Sequence, residues 1–169
     1  MPSEMQEASR KPWWRGARGE WFVVAQIALM LLVFFGPRTV LGWPTWRFPV
    51  PHACPIVGIV LMAAGAVLMI AGLVSLRRGL TPLPYPREGA ELVQTGAFVL
   101  VRHPMYSGGI VLSLGWALYV QSWLTLLYAA ILFAFADVKS RREEKWLAEK
   151  FAEYPAYQKC VRRLIPFVY

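Results

Sequence analysis

The segment from Pro55 to Leu76 contains no charged residue and is closed abruptly by Arg77 and Arg78. A bilayer-spanning helix needs about 20 consecutive apolar residues. A run of this length that is apolar on every face suits hydrocarbon better than the core of a small soluble domain. Three further apolar runs follow the same pattern: Trp21–Gly36, Tyr106–Val120 and Trp123–Ala136. The first is short, a deficit that tilt and flanking aromatic residues accommodate. Only Gln121 and Ser122 separate the last two, which predicts a tight antiparallel helical hairpin. The expected fold is all-α and polytopic, with about four transmembrane helices in a single membrane domain. That domain covers 1–169, divided into a tail over 1–20, two spans over 21–76 and a core over 77–166.

The charge distribution gives the orientation. The chain carries a formal net charge of +8 while 57% of its residues are hydrophobic. Its basic residues flank the apolar runs instead of forming one exposed face, so anionic lipid is the expected partner and nucleic acid is not. With both termini in the cytoplasm, all of the eighteen Lys and Arg residues except Arg38 and Arg47 fall on the cytoplasmic side. A prokaryotic plasma membrane is expected for so compact a chain. The acidic residues Glu4, Glu7 and Glu20 and the lack of a small-residue cleavage site argue against a signal peptide. Trp13, Trp14 and Trp21 suit the headgroup region. Cys54 and Cys160 are expected at opposite membrane faces, unbridged, and no Cys/His cluster suggests a metal.

Two polar stretches therefore share the cytoplasmic side. One is the loop Arg77–His103, with a short helix expected at Glu88–Gln94. The other is a basic amphipathic helix expected over Asp137–Tyr154, stopped by Pro155 and lying on the membrane surface. In that helix Trp146, Leu147, Phe151 and Tyr154 share a face, and Lys139, Arg141, Arg142, Lys145 and Lys150 fill the remainder. In the second span Gly65 and Gly72 share a face and permit close helix approach.

Each stretch holds a cluster with chemical potential. In Arg102-His103-Pro104-Met105-Tyr106-Ser107-Gly108-Gly109, Pro104 keeps His103 out of helical geometry and starts the next helix. Arg102 then sits before a helix N-terminus, where forked donors, free N–H groups and the helix dipole favour an anion. Gly108 and Gly109 would let a flat ligand approach the backbone. The plainer alternative has Arg102 snorkelling to lipid phosphate and His103 merely capping. In the second cluster, Glu143 and Glu144 either pair with neighbouring basic residues along the helix or turn inward to hold hydroxyl or amino groups of a polar ligand. Tyr154 and Tyr157 follow.

Taken together over Gly72 to Pro166, these clusters and the uncharged hairpin between them resemble the isoprenylcysteine carboxyl methyltransferase family and its phospholipid methyltransferase relatives. Ala97-Phe98 stands where many members have Pro-Tyr. The resemblance implies a membrane enzyme that uses S-adenosylmethionine, leaves S-adenosylhomocysteine and methylates a lipophilic or lipid-modified acceptor. It also implies a cofactor site made by Arg102, His103, Pro104, Tyr106, Gly108, Glu143 and Glu144. No catalytic base is assigned by it. Two other readings compete. One is a nicotinamide-dependent reductase of the membrane sterol or steroid type; those enzymes have a similar Arg-His-Pro motif but typically carry Asn at the position of Met105. The other is a non-catalytic protein that keeps the fold.

Overall fold

The computed structural model describes residues 20–40, 53–76, 92–166 and 168–169. It is all-helical, with no strand among the described residues: α1 Glu20–Phe35, α2 Ala53–Leu76, α3 Pro104–Tyr119, α4 Trp123–Lys150 and α5 Tyr154–Cys160, plus a 3-10 turn at Gly96–Val99. Helices α2 and α4 are long and apolar enough to cross a membrane, whereas α1 and α3 have 16 residues each. The outward faces of α1 and α2 are studded with exposed Ile, Val, Leu and Phe side chains, among them Ile27, Phe35 and Val67. So much outward apolar surface suits lipid tails, as expected of a membrane protein.

Helix direction alternates along the chain. Gly58 of α2 meets Gly115 and Tyr119 near the end of α3, and Gly72 meets Pro104 at its start, so the two helices are antiparallel. The α3–α4 hairpin closes as its sequence predicts. Gln121 adopts a left-handed φ of 50° to make the turn, and the Ser122 side chain caps α4 by accepting the Thr125 N–H at 3.1 Å. The Ser122 hydroxyl also donates to the Arg38 carbonyl at 2.6 Å, which ties the end of α1 to the turn. Higher on α1, Phe22 packs against Phe135 of α4. This topology brings the start of α1, the end of α2, the segment before α3 and the charged end of α4 to one end of the bundle. Cys54 and Cys160 are both free.

The C-terminal third departs from expectation in two ways. Helix α4 ends at Lys150, and Tyr154 begins a separate helix with Pro155 in its first turn. A first-turn proline loses no helical hydrogen bond, so it opens α5 as readily as it stops α4. Secondly, the buried face of the α4 extension is polar. Lys139, Ser140 and Glu144 are buried, while Trp146 and Leu147 are only half-buried. Lys139 is therefore not one of the solvated basic residues the pattern suggested. The helix expected at Glu88–Gln94 lies mostly outside the described residues; 92–94 are not helical.

Helices α2 and α3 touch backbone to backbone. A Cβ added to Gly65 would lie 2.6 Å from the Gly108 carbonyl oxygen, and one added to Gly108 would lie 2.6 Å from that of Gly65. Gly58 and Gly115 make a second reciprocal pair at the same distances. Gly109, next to Gly108, has nothing within 4 Å of such an atom. Gly65→Ala is therefore expected to cost about 1–3 kcal/mol through overpacking. Gly109→Ala should be neutral or stabilise by up to about 1 kcal/mol, through helix propensity. Melting temperatures of the two variants in detergent test this; equal values would contradict the close approach.

Candidate functional site at the polar end of the bundle

The segment entering α3 is held in place from both sides. Gly96 takes a φ of 64°, and a side chain there would collide with the Ser75 hydroxyl at the end of α2. The Ala97 N–H donates to that hydroxyl at 3.3 Å. On the other side lies the C-terminal segment. The Arg102 N–H donates to the Arg162 carbonyl at 2.8 Å and the His103 N–H to that of Arg163 at 3.2 Å. Ser107 donates its hydroxyl to Leu164 at 2.7 Å, and Tyr157 donates to the Phe98 carbonyl at 2.6 Å. His103 occupies the N-cap position of α3 with non-helical backbone, and its side chain does not cap the helix. Pro104 follows in the first turn, as its restricted geometry favours.

The apolar part of α4 ends at Ala136, and two turns beyond it the adjacent carboxylates face this entry segment. Glu144 Oε1 accepts from Arg102 Nε at 2.7 Å and lies 3.3 Å from His103 Nε2. Its Oε2 accepts from Gln158 Nε2 at 3.2 Å. Arg102 Nη1 donates to the Gln158 carbonyl at 3.0 Å and also to that of Val161. Glu143 Oε1 accepts from the Tyr106 hydroxyl at 2.5 Å, and its Oε2 lies 3.5 Å from His103 Nδ1. Each ring nitrogen of His103 thus faces one carboxylate, and its ring stacks on that of Tyr106 at 5.5 Å.

The two carboxyl groups are tuned apart. Burial would raise that of Glu144, but hydrogen bonds from His103 and Arg102 outweigh it and hold the group at about 2. For Glu143 burial dominates and raises the carboxyl above its usual range, against the charges of His103 and Lys139 and the Tyr106 hydrogen bond. Adjacent acids pushed in opposite directions are a common mark of functional sites. Burial also pushes the Tyr157 phenol up to about 12.

Arg102, His103, Tyr106, Glu143 and Glu144, singled out from sequence, are thus drawn into one network. Pro104 borders it, buried against Gly72. Gly108 is not part of it, because its missing side chain is consumed by the contact with α2. The sequence reading missed the backbone carbonyls of 158–164, Gln158 and the buried Lys139. Lys139 Nζ donates to Gln26 Oε1 of α1 at 2.6 Å and lies 5.0 Å from the Tyr106 ring centre. No group of His, Cys, Asp and Glu among the described residues is arranged to hold a metal ion.

Relatives share parts of this frame. A steroid 5-alpha-reductase of Arabidopsis thaliana is 31% identical over 130 residues, covering 76% of this chain and 44% of that protein. A protein-S-isoprenylcysteine O-methyltransferase of Saccharomyces cerevisiae is 38% identical over 79 residues, 46% of this chain and 33% of the enzyme. Its Schizosaccharomyces pombe counterpart is 33% identical over 79 residues, 46% of this chain and 34% of the enzyme. The chain spans less than half the length of these curated relatives. The phospholipid methyltransferase family model matches residues 53–154. Since that match takes in α2, α3, α4 and both halves of the polar network, the chain belongs to the phospholipid methyltransferase family.

Proposed function

We propose that the chain transfers the methyl group of S-adenosylmethionine to a lipophilic acceptor at the cytoplasmic face of a prokaryotic plasma membrane. The observation that carries this reading is the closure of Glu143 and Glu144 onto Arg102, His103 and Tyr106 at one end of an apolar bundle, inside the segment the family model matches. In the proposed topology α1 to α4 each cross the membrane as one domain, with both termini and the polar end in the cytoplasm, as the basic residues favour. A polar cofactor then enters from water and an apolar acceptor from the bilayer.

The residues present fit such a cofactor. The first turn of α3 has no side-chain cap, and its free N–H groups favour an anion. Arg102 commits Nε and Nη1 to Glu144 and two carbonyls, and Nη2 is the part of its fork we assign to a carboxylate. The Tyr154 hydroxyl is buried beside Arg102 and Glu144, at the same end of the site. When bound, the cofactor supplies an electrophilic methyl on a sulfonium, and in-line transfer depends mainly on positioning. Arg102 and the α3 terminus hold the carboxylate. Glu143 meets the amino or hydroxyl groups, and His103 and Tyr106 line the site. Glu144 keeps Arg102 in place, while Pro104 and Gly108 set the position of α3.

The reductase reading has its own support, because the match to the Arabidopsis steroid reductase extends over more of this chain than the matches to the methyltransferases. Ligand binding separates the two. In detergent, S-adenosylmethionine and S-adenosylhomocysteine should each raise the melting temperature saturably, with about 2.7 kcal/mol of stabilisation at a hundredfold excess over Kd. A rise with NADPH alone would replace the methyltransferase by the reductase. Methyl transfer is then read from labelled cofactor to phosphatidylethanolamine vesicles and to N-acetyl-farnesylcysteine.

Variants separate ligand-holding from scaffolding. Arg102→Ala leaves Glu144 buried without its main partner and is expected to lose about 3–5 kcal/mol of stability. Glu143→Gln should stay folded while S-adenosylhomocysteine binding, read by calorimetry, weakens roughly 10- to 100-fold, the range for one hydrogen bond to a charged group. Unchanged affinity in Glu143→Gln would remove Glu143 from the cofactor site.

A further inference from the structure

Lys139 is 2% exposed, and none of the contacts described above explains why a charge should be there. An ammonium ion taken out of water costs several kcal/mol, and a well-packed apolar residue in its place is often as stable or more so. Its surroundings suggest what it does. Nζ donates to Gln26 Oε1 of α1 at 2.6 Å and lies 5.0 Å from the centre of the Tyr106 ring. Glu143, one turn further along α4, is near enough for the two charges to act on each other. The Tyr106 ring is stacked by His103 and tethered through its hydroxyl to Glu143. Gln26 lies outside the segment the family model matches.

We infer that Lys139 is a positioning residue, fixed by Gln26 of α1, which holds the Tyr106–Glu143 pair in its working geometry and so makes α1 part of the site. Lys139 itself touches no ligand in this scheme. Its ammonium sets the Tyr106 ring by cation–π attraction and offsets the Glu143 charge. Gln26, a neutral acceptor, fixes the ammonium without quenching its charge. The catalytic consequence rests on the methyltransferase reading, but the structural coupling does not.

The test uses two readouts. In the full chain labelled with 3-fluorotyrosine, the Tyr106 resonance is assigned by its loss in Tyr106→Phe. Gln26→Leu should shift the resonance without any cofactor, and the shift should vanish when Gln26→Leu is made in a Lys139→Met background, as coupled sites require. No shift, or the same shift in both backgrounds, would overturn the inference. In the second readout, Lys139→Met should lower methyl transfer at saturating cofactor by at least about 10-fold, the scale of a small misplacement at a reacting centre. S-adenosylhomocysteine affinity should change by less than about 3-fold, since only the reacting geometry is lost. Gln26→Leu should lower transfer in the same direction, and it serves where Lys139→Met does not fold. Full turnover in either folded variant would overturn the inference. If the wild-type chain transfers no methyl group at all, the functional reading fails while the resonance experiment still decides the coupling.

Discussion

The ion pair between Arg102 and Glu144 fixes the polar end of the molecule. The two side chains come from positions 42 residues apart and are each 10% exposed, so neither is adequately solvated by water. A buried pair of this kind survives only where its remaining donors and lone pairs are also met. Here most are: Arg102 reaches the carbonyls of Gln158 and Val161 through Nη1, and Glu144 accepts from Gln158 and faces His103. The entry to α3, the extension of α4 and the C-terminal segment are therefore satisfied together. Loss of the α3 entry or of the α4 extension would leave a charge on the other uncompensated. Glu144 is consumed by this arrangement, whereas its neighbour Glu143 is held only by the Tyr106 hydroxyl and a 3.5 Å approach of His103, which is why the proposed reading gives the ligand to Glu143.

That polar end is placed by something with no polarity. Gly65 against Gly108 and Gly58 against Gly115 bring α2 and α3 to backbone contact, and Gly72 seats the ring of Pro104. Between helices in lipid there is little hydrophobic gain, so close packing of small residues carries association. The contact fixes where α3 begins and hence where Arg102 and His103 emerge. Hydrocarbon penalises unpaired polar groups, so the ionisable network gathers beyond the apolar stretches, where both water and the lateral apolar faces are near.

Much of this is legible in the sequence, and the exceptions have identifiable causes. Pro104 announces the start of α3 because proline restricts both itself and the residue before it. The hairpin at Gln121 and Ser122 is legible because the two apolar runs leave no room for anything longer. Gly108 is harder. A small residue beside a motif suggests space for a ligand, and nothing local shows that another helix occupies that space. Lys139 is read as solvated because a lysine among Arg141, Arg142 and Lys145 fits a basic face; only the position of α1, set by contacts over a hundred residues away in the chain, reveals that it is buried. The carbonyls of 158–164 that bind Arg102, His103 and Ser107 leave no trace at all, since every residue has one. The motifs thus identify the participants, and the tertiary contacts decide which acid is committed and which is not.

In the proposed site the anion-binding half is general enough to suit a methyltransferase or a reductase. An open helix terminus and a forked guanidinium receive a carboxylate or a phosphate alike. Discrimination must then come from the acidic half. Burial already raises the carboxyl of Glu143 despite His103 and Lys139 nearby. A ligand bearing ammonium and sulfonium charge would relieve that cost, because an opposite charge favours the ionised acid. A ligand bearing several phosphates would increase it. In the proposed reading, Glu143 therefore suits a cationic cofactor better than a polyphosphate.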